Sequence, residues 1–488
     1  MMKVGIIGAG LGGLSAAILL AHSGFEVHIY EKNTYPGGKM RRYSLGSSQF
    51  DFGPNTITMP SVFQEVIAQT GAVPDDYFQF TRLEVHTRNH FADGSYFDLS
   101  SDQTFNKEQL SNFDPFAYKK FEGYIKEITR LYTLSEQHFF RKTFMKKQDF
   151  LSLNLLKALV KVRPLQTLHQ FNQQYFEDTR LLQMVNRYAT YVGSSPYETP
   201  ATFAMIAYLE MIQGVYYVNG GNPTIADGFA KRATELGVQI HYGVEVTKIS
   251  VESRKARQIY LSNGEAKKFD TVIINGDLLK VYPDLVESRD RPSFQTKHVE
   301  SYQPTMSAFV LLASLNKRVE GLKHHQVFFS SDYYKEFQEL FQKKQFPSDP
   351  TIYICNSSYT EKAMSPNGDN LMILINAPAT TIESTDQLVE QKQKIYHTLS
   401  LKGFPVQKHV VEDMIISPRN ISHQFHSFNG ALYGPSANRV KDAFFRPSNK
   451  AKDINNLYFV GGSTHPGGGS PMVTMSGMNV ANHIIQSK

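Results

Sequence analysis

Three glycines, Gly8, Gly10 and Gly13, follow the apolar run 4–7 in a G-x-G-x-x-G spacing, and an acidic residue, Glu31, stands 18 positions past the last of them. Each glycine answers a different steric demand. Gly8 accepts a turn geometry that a Cβ opposes, Gly10 lets backbone approach a pyrophosphate, and Gly13 lets the following helix pack tightly on the strand. Free N–H groups at the start of that helix then face the anion. A second apolar strand, 27–30, ends at Glu31, where a carboxylate can bind a ribose hydroxyl. The chemistry this spacing predicts is recognition of the ADP half of a dinucleotide, and NAD and FAD present the same half.

Two further segments crowd glycine beside polar residues. Gly37-Gly38-Lys39-Met40-Arg41 follows the second strand, and near the other end an apolar strand at 456–460 runs into Gly461-Gly462 and then Ser463-Thr464-His465-Pro466-Gly467-Gly468-Gly469-Ser470-Pro471-Met472-Val473. Such glycines allow backbone to lie against a flat ligand. His465 is the candidate for a proton-handling or flavin-contacting side chain, because an imidazole donates or accepts near neutral pH. No Ser/His/Asp or Cys/His arrangement, H-E-x-x-H helix or metal-ligand cluster stands out, so no metal is expected.

These residues must be positioned by a large fold. At 488 residues the chain is longer than one core usually holds, and its 41% hydrophobic composition is ample for several interleaved domains. A net charge of +6 does not point to nucleic acid. The single cysteine, Cys355, excludes an internal disulfide and is expected as a small buried hydrophobe in a reducing cytoplasm. The strand at 4–7 opens almost at once, so the N-terminus reads as fold and not as a leader. No stretch reaches the roughly 18 apolar residues of a membrane span, so any membrane contact is expected to be peripheral.

The glycine fingerprint, the Gly37–Gly38 segment and the 461–473 motif, taken in order, resemble the carotenoid desaturase/oxygenase family, the phytoene desaturase-like FAD flavoproteins. Phe52-Gly53-Pro54, Thr58-Met59-Pro60, Tyr191-Val192-Gly193-Ser194-Ser195, Tyr217-Val218-Asn219-Gly220-Gly221 and Gly430-Ala431-Leu432-Tyr433-Gly434 extend the match over nearly the whole chain. Gly469-Ser470-Pro471-Met472-Val473-Thr474 with the later Ser476-Gly477 looks more like the bacterial 4,4'-diaponeurosporene (C30) oxygenases, while Thr464-His465-Pro466 is also desaturase text. The resemblance implies FAD as cofactor, held by Gly8, Gly10, Gly13, Glu31, Gly38, Lys39, Arg41, Gly461, Gly462 and Met472, with the Val246 backbone at the adenine. It implies oxidation of the terminal methyl of a long apolar isoprenoid to an aldehyde, with desaturation by hydride transfer to FAD as the alternative. An amine oxidase-like enzyme for a polar substrate and a non-catalytic carotenoid carrier are more distant readings.

The expected fold class is α/β: a Rossmann-type FAD-binding domain with an inserted mixed-sheet substrate domain and a helical membrane-associating region. The FAD-binding domain is expected from 1–70, 206–283 and 426–488, the substrate domain from 71–104 and 284–425, and the helical region from 105–205. Strands are read at 238–241, 256–261, 271–275, 307–312, 351–354 and 371–375, and helices at 14–23, 116–132, 388–401 and 474–485. Within the helical region Arg141, Lys142, Lys146, Lys147, Lys157, Lys161 and Arg163 alternate with Phe139, Phe140, Phe144, Phe150 and several leucines. A basic, phenylalanine-bearing stretch suits a lipid interface, and a polyene substrate calls for an entrance facing the bilayer. The expected location is therefore the cytoplasmic side of the cell membrane, with oligomeric state left open.

Overall fold

The computed structural model describes residues 1–145 and 158–487. Its organising layer is a five-stranded, wholly parallel sheet in the order Leu457–Val460, Thr271–Asn275, Lys3–Ile7, Glu26–Glu31, Gln239–Tyr242. Strands from both ends and from the middle of the chain meet in it. Their apolar runs are buried on both faces: Val4, Ile6, Ile29, Ile273 and Val460 are all fully covered, the pattern a parallel sheet requires.

The first helix, Leu11–His22, is buried along ten consecutive residues. It packs on the last helix, Ser470–Gln486, closely enough that Ser15 Oγ donates to the Thr474 carbonyl at 3.0 Å. The helix starts three residues before the expected position because the turn closes at Gly10, leaving Gly12 and Gly13 inside the helix and facing neighbouring backbone. Ser384 and Gln387 form a capping box, so the helix read from 388 begins at Thr385.

A seven-stranded mixed sheet forms the second layer, in the order Val410–Ile416, Ser307–Leu315, Asn370–Ala377, Ile352–Asn356, His325–Phe328, Val85–His90, Tyr96–Ser100. Ser307–Leu315 is buried at every position. The long helix Pro115–Ser135, capped by Asp114, packs with Leu168–Asn172 and Thr179–Asn186 in a separate apolar cluster with Tyr124, Phe171 and Tyr188. A small antiparallel sheet, Val246–Glu252, Lys255–Leu261 and Ala266–Lys268, precedes the strand Thr271–Asn275. Among the described residues no helix is long and apolar enough to cross a membrane.

Candidate active site

A cavity of about 550 Å3 opens where the C-terminal ends of the parallel strands meet the seven-stranded sheet. Of the residues singled out in the sequence, Gly8, Gly10, Glu31, Gly38, Lys39, Val246, Gly461 and Gly462 line it. Gly8 has φ +98°, and a Cβ there would lie 2.5 Å from the Asn275 carbonyl oxygen. A Cβ on Gly10 would meet Asn275 Nδ2 at 2.8 Å, and that amide donates to the Gly8 carbonyl at 3.1 Å. The turn is thus held against the neighbouring strand, leaving the cavity side to backbone alone.

The donor set fits a pyrophosphate. Gly10 caps the helix Leu11–His22 with no side-chain hydrogen bond, and the first intrahelical bond is from Leu14 N–H. The preceding N–H groups, together with the helix dipole, are therefore available to an anion. Glu31 is buried beside them: one carboxylate oxygen accepts from Ala9 N–H at 2.7 Å, the other from Asn33 N–H at 2.9 Å and Asn33 Nδ2 at 2.8 Å. These bonds fix the carboxylate at the edge of the cavity, where a ribose diol would fall. Val246 stands at the start of its strand, where pairing with Lys255–Leu261 shifts register. Gly469, also in the lining, has φ +99°, and a Cβ there would meet nothing within 4 Å.

Lys39 is tied across the chain, its Nζ donating to the carbonyls of Ala431 at 3.1 Å and Leu432 at 2.6 Å. Burial pulls its pKa down to about 8, against the opposing pull of Asp277. Asp277, also a cavity wall, accepts from the N–H groups of Phe428 and Leu279 at 2.9 and 3.1 Å, and burial raises its carboxyl above the usual range. Arg446 donates to the carbonyls of Gly462, Tyr433 and Pro435 at 2.8, 3.0 and 3.1 Å, binding the two glycine-rich C-terminal segments together. Burial lowers its pKa to about 10. Neither Asp277 nor Arg446 was singled out in the sequence. Asp277 carries a readable signal, an acid directly after a strand and glycine that caps the helix Leu278–Leu285, whereas Arg446 is one arginine among many until the chain folds.

Four of the expected residues lie elsewhere. Gly13 is behind the cavity wall, where a Cβ would come within 2.3 Å of the Gly8 carbonyl oxygen, so it serves helix packing. Arg41 is turned away by the alternation of its strand and is clamped between Tyr35 and Tyr43, 4.5 and 4.4 Å from their ring centres. Met472 lines a second cavity. His465 lines neither: its Nε2–H donates to the Phe139 carbonyl at 2.7 Å, its ring meets Phe144 edge-on at 4.5 Å, and burial drops its pKa to about 4. It ties the chain after the long helix to the glycine motif, a placement that suits positioning.

The second cavity, about 240 Å3, shares Gly53, Pro54, Met372, Leu374 and Tyr433 with the first. Its other walls include Phe203, Ile206, Leu209 and Val327. The stretches 52–54, 191–192 and 432–433 noted in the sequence meet at these two spaces.

A family described as flavin containing amine oxidoreductase matches residues 11–485. A 4,4'-diapolycopene oxygenase of Methylomonas sp is 32% identical, the alignment covering 99% of this chain and 98% of that protein. A 4,4'-diaponeurosporene oxygenase of Staphylococcus haemolyticus is 33% identical over 99% of this chain and 97% of its own. Among solved structures, a putrescine oxidase redesigned in its cofactor binding superposes with a TM-score of 0.67 at 11% identity, covering 100% of this chain and 99% of that one, which speaks to fold alone. The glycine cradle, the fixed Glu31 and a match spanning nearly every residue converge on one statement: the chain belongs to the flavin containing amine oxidoreductase family and is an FAD-dependent oxidoreductase of α/β fold with mixed sheets.

Proposed function

We propose that this protein oxidises the terminal methyl of a C30 carotenoid, a 4,4'-diaponeurosporene-like polyene, to an aldehyde in carotenoid biosynthesis. The observation that carries this reading is the largely apolar second cavity joined to the cofactor cavity through Gly53, Pro54, Met372 and Leu374. An apolar polyene end gains by leaving water for such walls. The two oxygenase relatives add to the argument, since both are named for C30 polyenes. With dioxygen as oxidant the atoms balance: one methyl and one O2 give one aldehyde and one water.

Bound FAD supplies a two-electron acceptor for hydride. The chain's own residues hold and shield. Gly8, Gly10 and the first-turn N–H groups would seat the pyrophosphate, Glu31 would hold the ribose and the Val246 backbone the adenine, while Gly38, Lys39 and Gly461–Gly462 would hold the flavin end. Met372 and Leu374 keep water from the junction where the methyl is presented. In this reading segments 71–104 and 284–425 roof a cofactor domain made from 1–70, 206–283 and 426–488, with the helical region 105–205 beside them.

A lipid-facing entrance at the cytoplasmic membrane surface belongs to the same proposal. Residues 146–157 of the basic stretch, with Lys146, Lys147, Lys157 and Phe150, lie outside the described residues. Next to them Val160 and Leu165 are 78% and 89% exposed beside Lys161, as an interfacial patch would present them. Arg141 and Arg163 are instead engaged by Glu65 and Glu127 at 2.8 and 2.7 Å.

The test is expression in a carotenoid-free host supplied separately with dehydrosqualene and with 4,4'-diaponeurosporene, followed by pigment extraction, absorption and mass. Conversion of 4,4'-diaponeurosporene to its terminal aldehyde is expected. Loss of hydrogen pairs from dehydrosqualene would make the enzyme a desaturase.

A further inference from the structure

The second cavity is largely apolar but also lined by polar groups, Asn55, Thr56, Thr351 and Asn376 among them, and by two arginines, Arg187 and Arg446, each with an Nε that has no hydrogen-bond partner. Arg187 is 7% exposed and lines this cavity. Glu210, fully buried and not part of the wall, lies 3.5 Å from Arg187 Nη2, and Arg187 Nη1 donates to Tyr191 Oη at 3.3 Å. Tyr191 and Tyr188 both donate to Glu210, Tyr188 at 3.2 Å. Arg187 Nε, by contrast, has no hydrogen-bond partner, and neither has the hydroxyl of Tyr333, a second residue of the same wall. A buried donor left unpaired costs about 1–3 kcal/mol, and more when it is charged, so an oxygen acceptor that entered the cavity and reached these two donors would relieve that cost.

We infer that Arg187 and Tyr333 form a docking point for a neutral terminal oxygen, a hydroxymethyl or aldehyde group at the end of the polyene. This rests on the polyene oxidation proposed above and specifies which polyene ends the site retains. The charge balance selects the ligand. Glu210 already offsets the Arg187 guanidinium, and the cavity's other cation, Arg446, is engaged by the carbonyls of Gly462, Tyr433 and Pro435, so a carboxylate at Arg187 and Tyr333 would add a negative charge to a pair that is already balanced, whereas a carbonyl or hydroxyl oxygen accepts the free donors and adds no charge. The position suits the reaction as well. Tyr353, on the same wall, is the cross-strand partner of Leu374, which borders both cavities. An end that has gained one oxygen is thereby held next to the cofactor side until oxidation to the aldehyde is complete.

The experiment measures binding, not turnover. Purified FAD-loaded enzyme is titrated anaerobically with three C30 polyenes that share one chain and end in methyl, aldehyde or carboxylate, following the shift of the polyene absorption band. The wild type is expected to bind the aldehyde about tenfold more tightly than the methyl end, with the carboxylate weakest of the oxygenated pair. R187M and Y333F should bring the aldehyde-to-methyl affinity ratio below about three. Because R187M leaves Glu210 buried without its partner, the R187M/E210Q double variant provides a folded control, checked by its melting temperature, and should lose the ratio equally. An unchanged ratio in that double variant overturns the assignment, and so does tighter binding of the carboxylate than of the aldehyde. Absence of binding for all three polyenes to the wild type would instead refute the polyene reading on which the inference stands.

Discussion

Gly477 faces Gly12 across the contact between the last and first helices, so closely that a Cβ on Gly477 would lie 2.1 Å from the Gly12 carbonyl oxygen and 2.1 Å from Ser15 Oγ. The two chain ends are thereby pressed into one layer, and the phosphate-binding turn and the C-terminal glycine motif inherit their separation from this contact. Backbone on one side and a buried hydroxyl on the other leave little to yield. G477A is expected to lower stability by about 1–3 kcal/mol and to reduce the flavin content of the purified protein. Urea unfolding alongside flavin absorbance per chain measures both, and a wild-type midpoint with full flavin would show that the helices can part without consequence.

Glu31 presents both carboxylate oxygens to N–H donors, Ala9 on one side and Asn33 on the other. E31Q must turn an NH2 toward one of them, placing donor against donor in a buried site. FAD binding should weaken roughly tenfold to a hundredfold, read by titrating apoprotein with FAD and following the quenching of flavin fluorescence. Equal affinity in E31Q would remove Glu31 from cofactor binding.

The local part of this site was legible because its physics is local. Gly8, Gly10, Gly13 and Glu31 are fixed by the geometry of one strand–turn–helix–strand unit, and spacing alone identifies them. Lys39 was legible by type, but its carbonyl partners at Ala431 and Leu432 are 392 and 393 residues away, and nothing in a linear reading joins them. Arg41 was misplaced because one step along a strand reverses the face a side chain takes, and Tyr35 and Tyr43 offer it two rings on the other side. Arg187 and Glu210 sit on short, irregular helical segments, Arg187–Val192 and Leu209–Gln213, with no periodicity to mark which residues turn inward.

Asp51, in the strand Ser48–Phe52 that pairs with Arg41–Leu45, supplies a test of burial. Its carboxylate oxygens have no hydrogen-bond partner of good geometry, and burial, opposed by the Asn222 backbone N–H and the Arg42 charge, pushes its pKa from 3.8 up to about 6. A carboxyl whose folded pKa exceeds its unfolded value favours folding below the unfolded pKa, and that contribution is lost as pH rises through the folded one. The loss over the window from 3.8 to about 6 amounts to about 3 kcal/mol. D51N carries no charge to desolvate, so its stability relative to wild type should rise across this window and stay level above it. Urea unfolding of both proteins at matched pH values isolates the difference, and a constant difference would place the wild-type carboxyl at its ordinary pKa.

His465 gives the opposite sign. Burial lowers its pKa from 6.5 to about 4, so the neutral ring donating to the Phe139 carbonyl is the native form. A base with a depressed folded pKa stabilises the fold above its unfolded pKa, and that stability drains away as pH falls toward the folded value. Over the interval from 6.5 to about 4 the wild type should lose up to about 3 kcal/mol through this one group, and H465Q, which does not titrate, should lose correspondingly less. If His465 only positions the glycine motif, H465Q will lower the melting temperature while turnover per bound flavin stays within about threefold, equivalent to less than about 1 kcal/mol of barrier. The pH profile of that turnover, between about 6 and 8, should also match the wild type, since a ring that stays neutral there contributes no inflection. A new inflection in the variant, or a collapse of turnover with flavin still bound, would return His465 to the chemistry.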